Sequence, residues 1–265
     1  MADKLFCAAV RDMSQLSGGI IKLCDMLVYS PAEYSGLDAD GFLSAVKKLA
    51  DDAGKTMPVY LDLPAVALSA DITVLRKIIE GVKDGLAGLV ANNVYGIRLA
   101  EDYGLSVFKG GGLNTLNDNF CDFDNILLSP EIYEGDYRQF GGWDKKNYFL
   151  YVCGYLPLML LCHCPKEVNG FDCKTCGGVN LVYKDELNNK MKLRRVKTAA
   201  CRFELLNSVP LCLLKYKNKI KPHFYFDMKE FKAPQILEIM TAFKEPGNKE
   251  PPFKYTAGAY FKDIK

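Results

Sequence analysis

The sequence predicts an α/β protein with a TIM-like (β/α)8 barrel. Apolar segments of strand length alternate with segments of helical periodicity along most of the 265-residue chain. Eight such strands can be counted, which is the number that closes a barrel, and the chain length suits that fold. An open doubly wound sheet is the rival architecture, but no G-x-G-x-x-G turn follows the first strand. The closed barrel is therefore the prediction.

The individual elements are recognised from their apolar spacing. The first six strands are KLFCAAV, DMLVYSP, MPVYLDLP, LAGLVANN, LSVFKGGGLN and NILLSPEI. Helices are predicted over residues 38–54, 69–85 and 94–104, where apolar side chains recur every three to four positions. Asp38 or Asp40 caps the first of these helices, and Gly54 ends it. The eighth strand, KPHFYFDM, is followed by the helix PQILEIMTAF.

The seventh strand is predicted within the apolar run YFLYVCGYLPLMLLC. Strand periodicity extended through LPLMLLCHC places Leu158, Leu160, Cys162 and Cys164 on one face. Cys164 is the last residue of that face, so it is expected at the carboxyl end of the strand, just before Pro165.

A long interruption separates the seventh strand from the eighth. Residues 161–220 are predicted to be a cysteine-rich insertion, and residues 1–160 and 221–265 to form the barrel. Within the insertion, VNLVYKDELNNKMKLRRV has the pattern of a β-hairpin that turns at Asn188-Asn189.

The composition is that of an ordinary globular chain and argues against several classes. The chain is 49% hydrophobic and 25% charged, and its net charge of +2 does not indicate an extended nucleic-acid or membrane surface. The longest apolar run is broken by Gly154 and Pro157 and is too short to span a bilayer. The start MADKLFCAAV lacks the features of a signal peptide, so we expect a cytoplasmic protein with reduced thiols.

Four of the ten cysteines lie in the segment LCHCPKEVNGFDCKTCGG. Cys173 and Cys176 form a C-x2-C pair that a glycine turn can aim at one ion, while Cys164 precedes the pair and Cys201 follows it. Four thiolates suit tetrahedral zinc or an iron–sulfur cluster. We therefore predict that Cys164, Cys173, Cys176 and Cys201 hold either zinc or an iron–sulfur cluster.

Other cysteines and one histidine have different expected roles. Cys162 and His163 are the reserve ligands for that metal site. The remaining cysteines are expected to be buried as small apolar side chains: Cys7, Cys24, Cys121, Cys153 and Cys212.

Polar side chains recur where the predicted strands reach their carboxyl ends. In a barrel those ends meet at one mouth, which is where the active sites of TIM barrels are built. Each Asp or Asn alone is better explained as a loop residue that caps the following helix, but the recurrence after five strands indicates a site. The residues expected to line a substrate cavity there are Asp62, Asn92, Asn114, Asn117, Glu131 and Asp227.

The sequence carries few signs of a peptidase and a small sign of RNA contact. It has two histidines and neither H-E-x-x-H nor G-x-S-x-G, and His223 begins the eighth strand at the end opposite the barrel mouth. The basic run KLRRVK, with Lys184, forms a hairpin surface that could meet RNA, although a solvated hairpin face is the simpler reading.

Several motifs resemble those of a known family. VYGIRLAEDYGLSVFKGGGLNTLN, ILLSPEI, CGYLPLMLLCHCP, CKTCGG, FELLNSVPLCL and YTAGAYFKDIK occur in order from about residue 58 to the end of the chain. Together they resemble the collagenase-like bacterial peptidase family, numbered U-thirty-two, and in particular the C-terminal barrel segment of its long members. The resemblance implies a TIM-like barrel and the cysteine set named above, which carries a four-iron four-sulfur centre in relatives.

The resemblance also implies a role in hydroxylation of RNA or of a small aromatic, with proteolysis as the older family label. Partners would be the RNA or aromatic substrate, or further domains of a longer family member. The chain departs from the family pattern at Tyr155, where relatives carry Arg, and at Gly258-Ala259, where they carry Gly-His. We expect Tyr155 to take the place of the missing cation in a weakened site. The alternatives are a non-catalytic, zinc-stabilised barrel module of a larger assembly and a peptidase.

Overall fold

The computed structural model describes residues 4–119, 122–165, 181–247 and 249–260. Its strands, in chain order, are β1 (Phe6–Val10), β2 (Met26–Tyr29), β3 (Val59–Asp62), β4 (Gly88–Ala91), β5 (Ser106–Lys109), β6 (Asn125–Leu127), β7 (Asn147–Gly154), β8 (Pro157–Leu161), β9 (Leu181–Lys184), β10 (Lys190–Lys197), β11 (Cys201–Leu206), β12 (Leu211–Cys212) and β13 (His223–Asp227). Eight of them, β1 to β7 and β13, are parallel neighbours, and β13 pairs with both β7 and β1 to close the ring. The predicted TIM-like (β/α)8 barrel is confirmed, with the eighth strand beside the first.

Helices surround most of the barrel. They are α1 (Gly18–Leu23), α2 (Ala39–Asp52), α3 (Ser69–Val82), α4 (Val94–Tyr103) and α5 (Ala233–Lys244). Asp38 caps α2 by accepting a hydrogen bond from the backbone N–H of Gly41, and α4 ends on Gly104 in the left-handed conformation with φ of 64°. The β5–β6 and β6–β7 connections contain short 3₁₀ turns at Gly111–Leu113 and Glu134–Gln139 in place of α-helices.

Aromatic side chains fill the barrel interior. The ring of Phe108 on β5 packs 5.6 Å from that of Tyr60, 5.2 Å from that of Phe149 and 6.3 Å from that of Tyr225, measured between centroids. These four residues come from four different barrel strands, and all four are buried. The barrel is therefore a packed core, and a binding site has to lie above this layer, at the strand ends.

The insertion forms a separate antiparallel sheet of four strands in the order β8-β11-β10-β9. Strands β9 and β10 pair as a hairpin, with Leu181 opposite Leu193 and Lys184 opposite Lys190. Asn188 in the turn has a φ of 62°, a left-handed conformation that Asn tolerates. The predicted β-hairpin is present.

The boundary of the insertion differs from the prediction. Strand β7 ends at Gly154, and Pro157–Leu161 pairs with β11 in the insertion sheet, so Cys164 does not follow a barrel strand. The reason is Gly154, whose φ of 144° and missing side chain let it lie against the backbone of Asp227. The insertion thus begins near residue 155 and not at 161. Strand β12 rejoins the barrel sheet beside β7, before the predicted return at residue 221.

The two faces of the insertion sheet have different partners. Arg194 and Glu204 are cross-strand neighbours on the face toward the barrel, while Leu193 and Phe203, one residue away, belong to a separate apolar cluster on the outer face. A buried ion pair between Arg202 and Asp71, 2.6 Å from Nη2 to Oδ2, anchors the sheet to α3. In the part of the chain that the structure describes, no helix is long and apolar enough to cross a membrane.

Candidate functional site

A cavity of about 580 Å³ lies at the carboxyl ends of the barrel strands. Barrel residues form its floor and one side, and the insertion sheet covers it with Leu158, Arg194, Val196 and Glu204. This size is typical of small-molecule sites. The mouth of the barrel is thus a chamber that the insertion sheet covers in part.

Asp62, the last residue of β3, is a buried carboxyl group at the floor of this chamber. The hydroxyl of Ser30 donates to its Oδ2 at 2.6 Å, and the side-chain amide of Asn92 donates to its Oδ1 at 2.7 Å. The ammonium nitrogen of Lys229 lies 3.9 Å from Oδ2. Two neutral donors and one more distant cation therefore orient this group without neutralising it fully.

Asp227, the last residue of β13, is the second buried carboxyl group. Its Oδ2 accepts a hydrogen bond from the hydroxyl of Tyr151 at 2.9 Å and lies 3.3 Å from the ammonium of Lys229. Arg194 reaches the same oxygen from the insertion sheet, at 3.4 Å. One cation, Lys229, thus lies between the two carboxyl groups of the floor.

Arg194 also links Asp227 to a third carboxyl group. Its Nε donates to Oε2 of Glu204 at 2.5 Å, and its side chain is 2% exposed. The charges alternate in sign from Asp62 through Lys229, Asp227 and Arg194 to Glu204. This chain of contacts connects two barrel strands with two strands of the insertion.

The two floor carboxyl groups differ in acidity. Burial raises the pKa of Asp62 and outweighs the opposing effects of Lys229, Ser30 and Asn92. Burial also acts on Asp227, but Lys229, Arg194 and the Tyr151 hydroxyl together hold its pKa below the ordinary value. Neighbouring carboxyl groups whose environments separate their pKa values are suited to opposite roles in proton transfer.

The walls above the floor are largely apolar. The side chains that form them come from the ends of the barrel strands, the loops that follow them and the insertion: Pro31, Leu63, Pro64, Leu127, Pro130, Leu156, Pro157, Leu158 and Val196. A ligand in this chamber would therefore have an apolar body and a polar end that faces Asp62, Lys229 and Asp227.

Five of the seven residues predicted for the cavity line it: Asp62, Asn92, Asn114, Glu131 and Asp227. Asp62 and Asp227 are buried at the floor, whereas Asn114 and Glu131 are exposed at the rim. Asn117 is not among the lining residues. Their role in binding a substrate stays a prediction.

Tyr155 does not take the place of a cation in the cavity. Its ring packs 5.7 Å from that of Phe231, and the ammonium of Lys192 lies 5.3 Å from its centroid, outside the lining. Gly154 ends the strand immediately before it and redirects the chain. The cations that line the cavity are Arg11, Arg194 and Lys229.

Sequence reasoning missed these three cations, although a signal existed for two of them. Arg11 directly follows β1, and Lys229 comes two residues after β13, so both stand at carboxyl ends of strands like the acids and amides that were considered. Arg194 has no such signal, because it reaches the cavity from the inserted hairpin. Its run KLRRVK indicated an exposed basic surface, yet Arg194 is buried, and Arg195 and Lys197 both pair with Glu33.

The structure describes two of the four predicted metal ligands, Cys164 and Cys201, while Cys173 and Cys176 lie outside the described residues. The two thiols belong to one apolar cluster with Leu193 and Phe203. The guanidinium of Arg195 is 3.9 Å from Sγ of Cys201. Two thiols of the predicted set thus share one cluster, and the metal site itself stays a prediction.

The position of these thiols differs from the expectation that the cysteine centre would lie beside the cavity. Cys201 shares the outer face of β11 with Phe203, and Glu204 faces the cavity from the other side of the sheet. The insertion sheet therefore stands between the described thiols and the charged floor.

Fold and site together define a (β/α)8 barrel protein with a charged cavity beneath an inserted antiparallel sheet. Its sequence matches no family model and no curated protein. A glycerol uptake operon antiterminator-related protein from Thermotoga maritima is 17% identical over 63% of this chain and 88% of that chain, with a TM-score of 0.36. The Bacillus cereus spore cortex-lytic enzyme SleL is 10% identical over 93% of this chain and 76% of that chain, with a TM-score of 0.42.

Proposed function

We propose that this chain is a protein of the collagenase-like peptidase family that binds a small aromatic molecule in the barrel mouth and supports its hydroxylation. The observation that carries the proposal is the group Asp62–Lys229–Asp227 at the floor of a covered, apolar-walled cavity. The motifs that resemble the family supply the reaction class. The cavity supplies the argument for the substrate class.

The dimensions and walls of the cavity favour a small cyclic ligand. A volume of about 580 Å³ accommodates one or two rings with substituents. Proline and leucine side chains offer flat apolar contact, which removes ring surface from water. The floor offers both acceptors and donors, because its carboxyl groups and cations alternate, so a hydroxyl or carbonyl substituent finds a partner of either kind.

The separated pKa values assign roles to the floor residues. Asp62, whose pKa is raised, keeps its proton to higher pH and serves as the proton donor to a bound substituent. Asp227, whose pKa is lowered, stays ionised and holds Lys229 and Arg194 in place. Lys229, between the two, orients the polar end of the ligand.

RNA is the less favoured substrate because the insertion sheet lies over the cavity and several of its cations are paired with carboxylates. The insertion sheet covers the mouth, so a base would have to enter from an unpaired strand. Arg194 is buried with Asp227 and Glu204, and Arg195 and Lys197 are paired with Glu33, so three cations of the basic hairpin are already engaged in ion pairs. Modification of RNA is therefore an outcome of the test rather than the proposal.

The cysteines would hold the redox or structural group. Cys164 and Cys201, with Cys173 and Cys176, would be its ligands. A four-iron four-sulfur cluster supplies single electrons, whereas zinc supplies a link that stabilises the insertion. The separation of the described thiols from the cavity by the insertion sheet favours the second candidate function, a zinc-stabilised barrel module that binds ligand without turnover.

Proteolysis finds no support at the cavity. Both histidines of the chain lie in the described part, and neither lines it. His163 is exposed after β8, and Nδ1 of His223 accepts a hydrogen bond from the N–H of Leu5 at the opposite end of the barrel. A Cys–His or Ser–His pair is thus not available in the chamber.

The proposal is tested by binding and by product analysis. Phenol and 4-hydroxybenzoate are titrated into the full chain, purified without oxygen, by calorimetry. Asn114→Ala and Glu131→Ala at the rim are each expected to weaken binding about two- to tenfold, since a hydrogen bond contributes about 0.5–1.5 kcal/mol. Asn117→Ala, outside the lining, is the matched control and should bind as the native chain does.

Cells that lack the protein are then compared with cells that carry it or its Asp62→Asn variant. Mass spectrometry of small phenolic compounds and of RNA nucleosides should show one hydroxylated aromatic that disappears without the protein and is not restored by the variant. If a hydroxylated RNA nucleoside disappears without the protein instead, RNA is the substrate and the proposal of a small aromatic is wrong. Ligand binding with no missing product, and one zinc without visible colour, would establish the non-catalytic module.

A further inference from the structure

Two buried cysteines face each other where the insertion joins the barrel sheet. Cys153 is the penultimate residue of β7, and Cys212 is the last residue of the short strand β12. The two strands are antiparallel, and Cys153 is directly opposite Cys212 in their register. The chain leaves the barrel sheet just after the first cysteine and returns to it at the second, so the pair spans the two connections of the insertion sheet.

The hydrogen bonds show which kind of antiparallel pair this is. The N–H of Leu213 donates to the carbonyl of Val152 at 2.8 Å, whereas the N–H of Cys212 donates away from β7, to the carbonyl of Thr256 at 2.9 Å. Cys153 and Cys212 are therefore a non-hydrogen-bonded pair, in which Cα atoms are about 4.5 Å apart and side chains lie closest. Disulfides form at Cα separations of about 4.4–6.8 Å.

The two thiols already interact and are chemically distinct. Burial raises the pKa of Cys153 well above its ordinary value. A hydrogen bond from the thiol of Cys153 lowers the pKa of Cys212, and the backbone N–H of Leu214 acts in the same direction. Cys212 is thus the better nucleophile, with Cys153 placed to resolve a first adduct.

We propose that Cys153 and Cys212 form a reversible disulfide that links the two connections between the insertion sheet and the barrel. The oxidant is a low-molecular-weight disulfide. The thiolate of Cys212 attacks one of its sulfurs and releases one thiolate, leaving a mixed disulfide on Cys212. The Cys153 thiol then loses its proton and attacks the Cys212 sulfur, which releases the second small thiol. Two protein thiols are oxidised, and one small disulfide is reduced to two thiols.

The disulfide would restrain the insertion sheet that lies over the cavity. The cross-link closes residues 153–212 into one covalent loop that contains the whole insertion sheet. Gly154, next to Cys153, pairs with Leu211 on one side and with Asp227 on the other. Oxidation therefore fixes the insertion at the point where it leaves the strand end beside the charged floor. This inference is independent of the ligand that the cavity binds.

The test is a redox titration of the full, reduced chain. The chain is equilibrated with mixtures of reduced and oxidised glutathione, the remaining thiols are alkylated, and tryptic peptides are analysed by tandem mass spectrometry. The expected product links Cys153 in peptide 147–166 to Cys212 in peptide 203–215, and dithiothreitol reverses it. The oxidised chain should unfold several degrees higher than the reduced chain, because loop closure restricts the unfolded state.

Controls within the same chain separate this pair from general thiol oxidation. Cys162 is exposed and reports that the reagent is active. Cys7 and Cys24 are as buried as the proposed pair, but they are not opposite each other in a strand register, so they should stay free thiols. Cys212→Ala should abolish the cross-link and the thermal shift, and Cys7→Ala should leave both unchanged. If Cys153 and Cys212 remain alkylatable in fully oxidised glutathione after Cys162 has reacted completely, or if Cys212 links to another cysteine, the proposal is wrong.

Discussion

The guanidinium of Arg194, carried by the insertion sheet, lies 3.4 Å from the carboxylate of Asp227 at the end of the last barrel strand, measured from Nη1 to Oδ2. Both side chains are almost completely buried, at 2% and 3% exposure. Charges removed from water at such a site are stable only while they are paired. The roof of the cavity is therefore joined to the barrel through the same carboxylate that the proposed site uses.

Replacing Arg194 by Met is expected to destabilise the fold strongly. The substitution keeps most of the side-chain volume but leaves Asp227 and Glu204 without their shared cation. Breaking a buried pair in this way typically costs about 3–5 kcal/mol. Urea denaturation of the full chain measures the free energy of unfolding. Arg195→Met is the matched control, because its pair with Glu33 is partly exposed and is worth about 0–1 kcal/mol. Equal losses in the two variants would show that the buried link carries no special stability.

The acidity of Asp62 predicts a pH dependence of stability. Because its pKa is raised in the folded state, the folded chain holds this proton more tightly than the unfolded chain does. Its contribution to stability is complete below the unfolded pKa of about 3.9 and is lost as the pH rises through the folded pKa. The Asp62→Asn variant has no carboxyl group at this position, so it does not lose stability in this way as the pH rises. The variant should therefore gain in stability relative to the native chain as the pH is raised from 4 to 7, measured by urea denaturation at each pH.

Asp227 should show the opposite trend. Its pKa is lowered in the folded state, so its contribution is present above the unfolded pKa of about 3.9 and is lost as the pH falls through the folded value. Asp227→Asn should be most destabilised near neutral pH, and its deficit should shrink in acid. Parallel pH profiles for the Asp62 and Asp227 variants would contradict the opposite assignments.

Gly154 is expected to tolerate no side chain. A Cβ there would lie 2.5 Å from the backbone oxygen of Asp227 and 2.7 Å from the hydroxyl of Tyr151, and its φ of 144° is unfavourable for other residues. We expect Gly154→Ala to lower the free energy of unfolding by about 2–4 kcal/mol. Gly81→Ala in α3 meets no atom within 4 Å and should instead raise it by about 0.5–1 kcal/mol. Thermal unfolding of both variants checks the contrast.

Gly154 also explains where sequence reasoning failed. The barrel strands were recognisable because each is a short apolar run bounded by turn residues, as in the buried strand that ends at Asp62. The run from β7 into β8 serves two sheets. Gly154 and Pro157 interrupt it, but strand periodicity does not show that the chain changes sheet there. The acids of the cavity floor could be predicted because they stand at the ends of strands. Arg194 could not be predicted, because the alternation of side chains in a hairpin defines two faces but does not show which face meets the barrel.

The last prediction concerns the metal site that we propose on the outer face of the insertion. Cys164 and Cys201 share an apolar cluster that is separate from the barrel core, so their replacement should release metal while the barrel stays folded. Cys164→Ser and Cys201→Ser are each expected to lose most of the iron and sulfide, or most of the zinc, in protein purified without oxygen. Elemental analysis gives the metal content, and circular dichroism reports the barrel.

Cys162→Ser is the matched control for those two variants, since Cys162 is an exposed neighbour outside the cluster. It should keep its metal, because Cys162 is exposed and does not belong to the cluster that holds Cys164 and Cys201. Iron with an equal amount of sulfide and visible absorbance would identify a cluster, and one colourless zinc would identify a structural ion. Metal retained in Cys201→Ser but lost in Cys162→Ser would exclude Cys201 from the ligand set and transfer its place to Cys162.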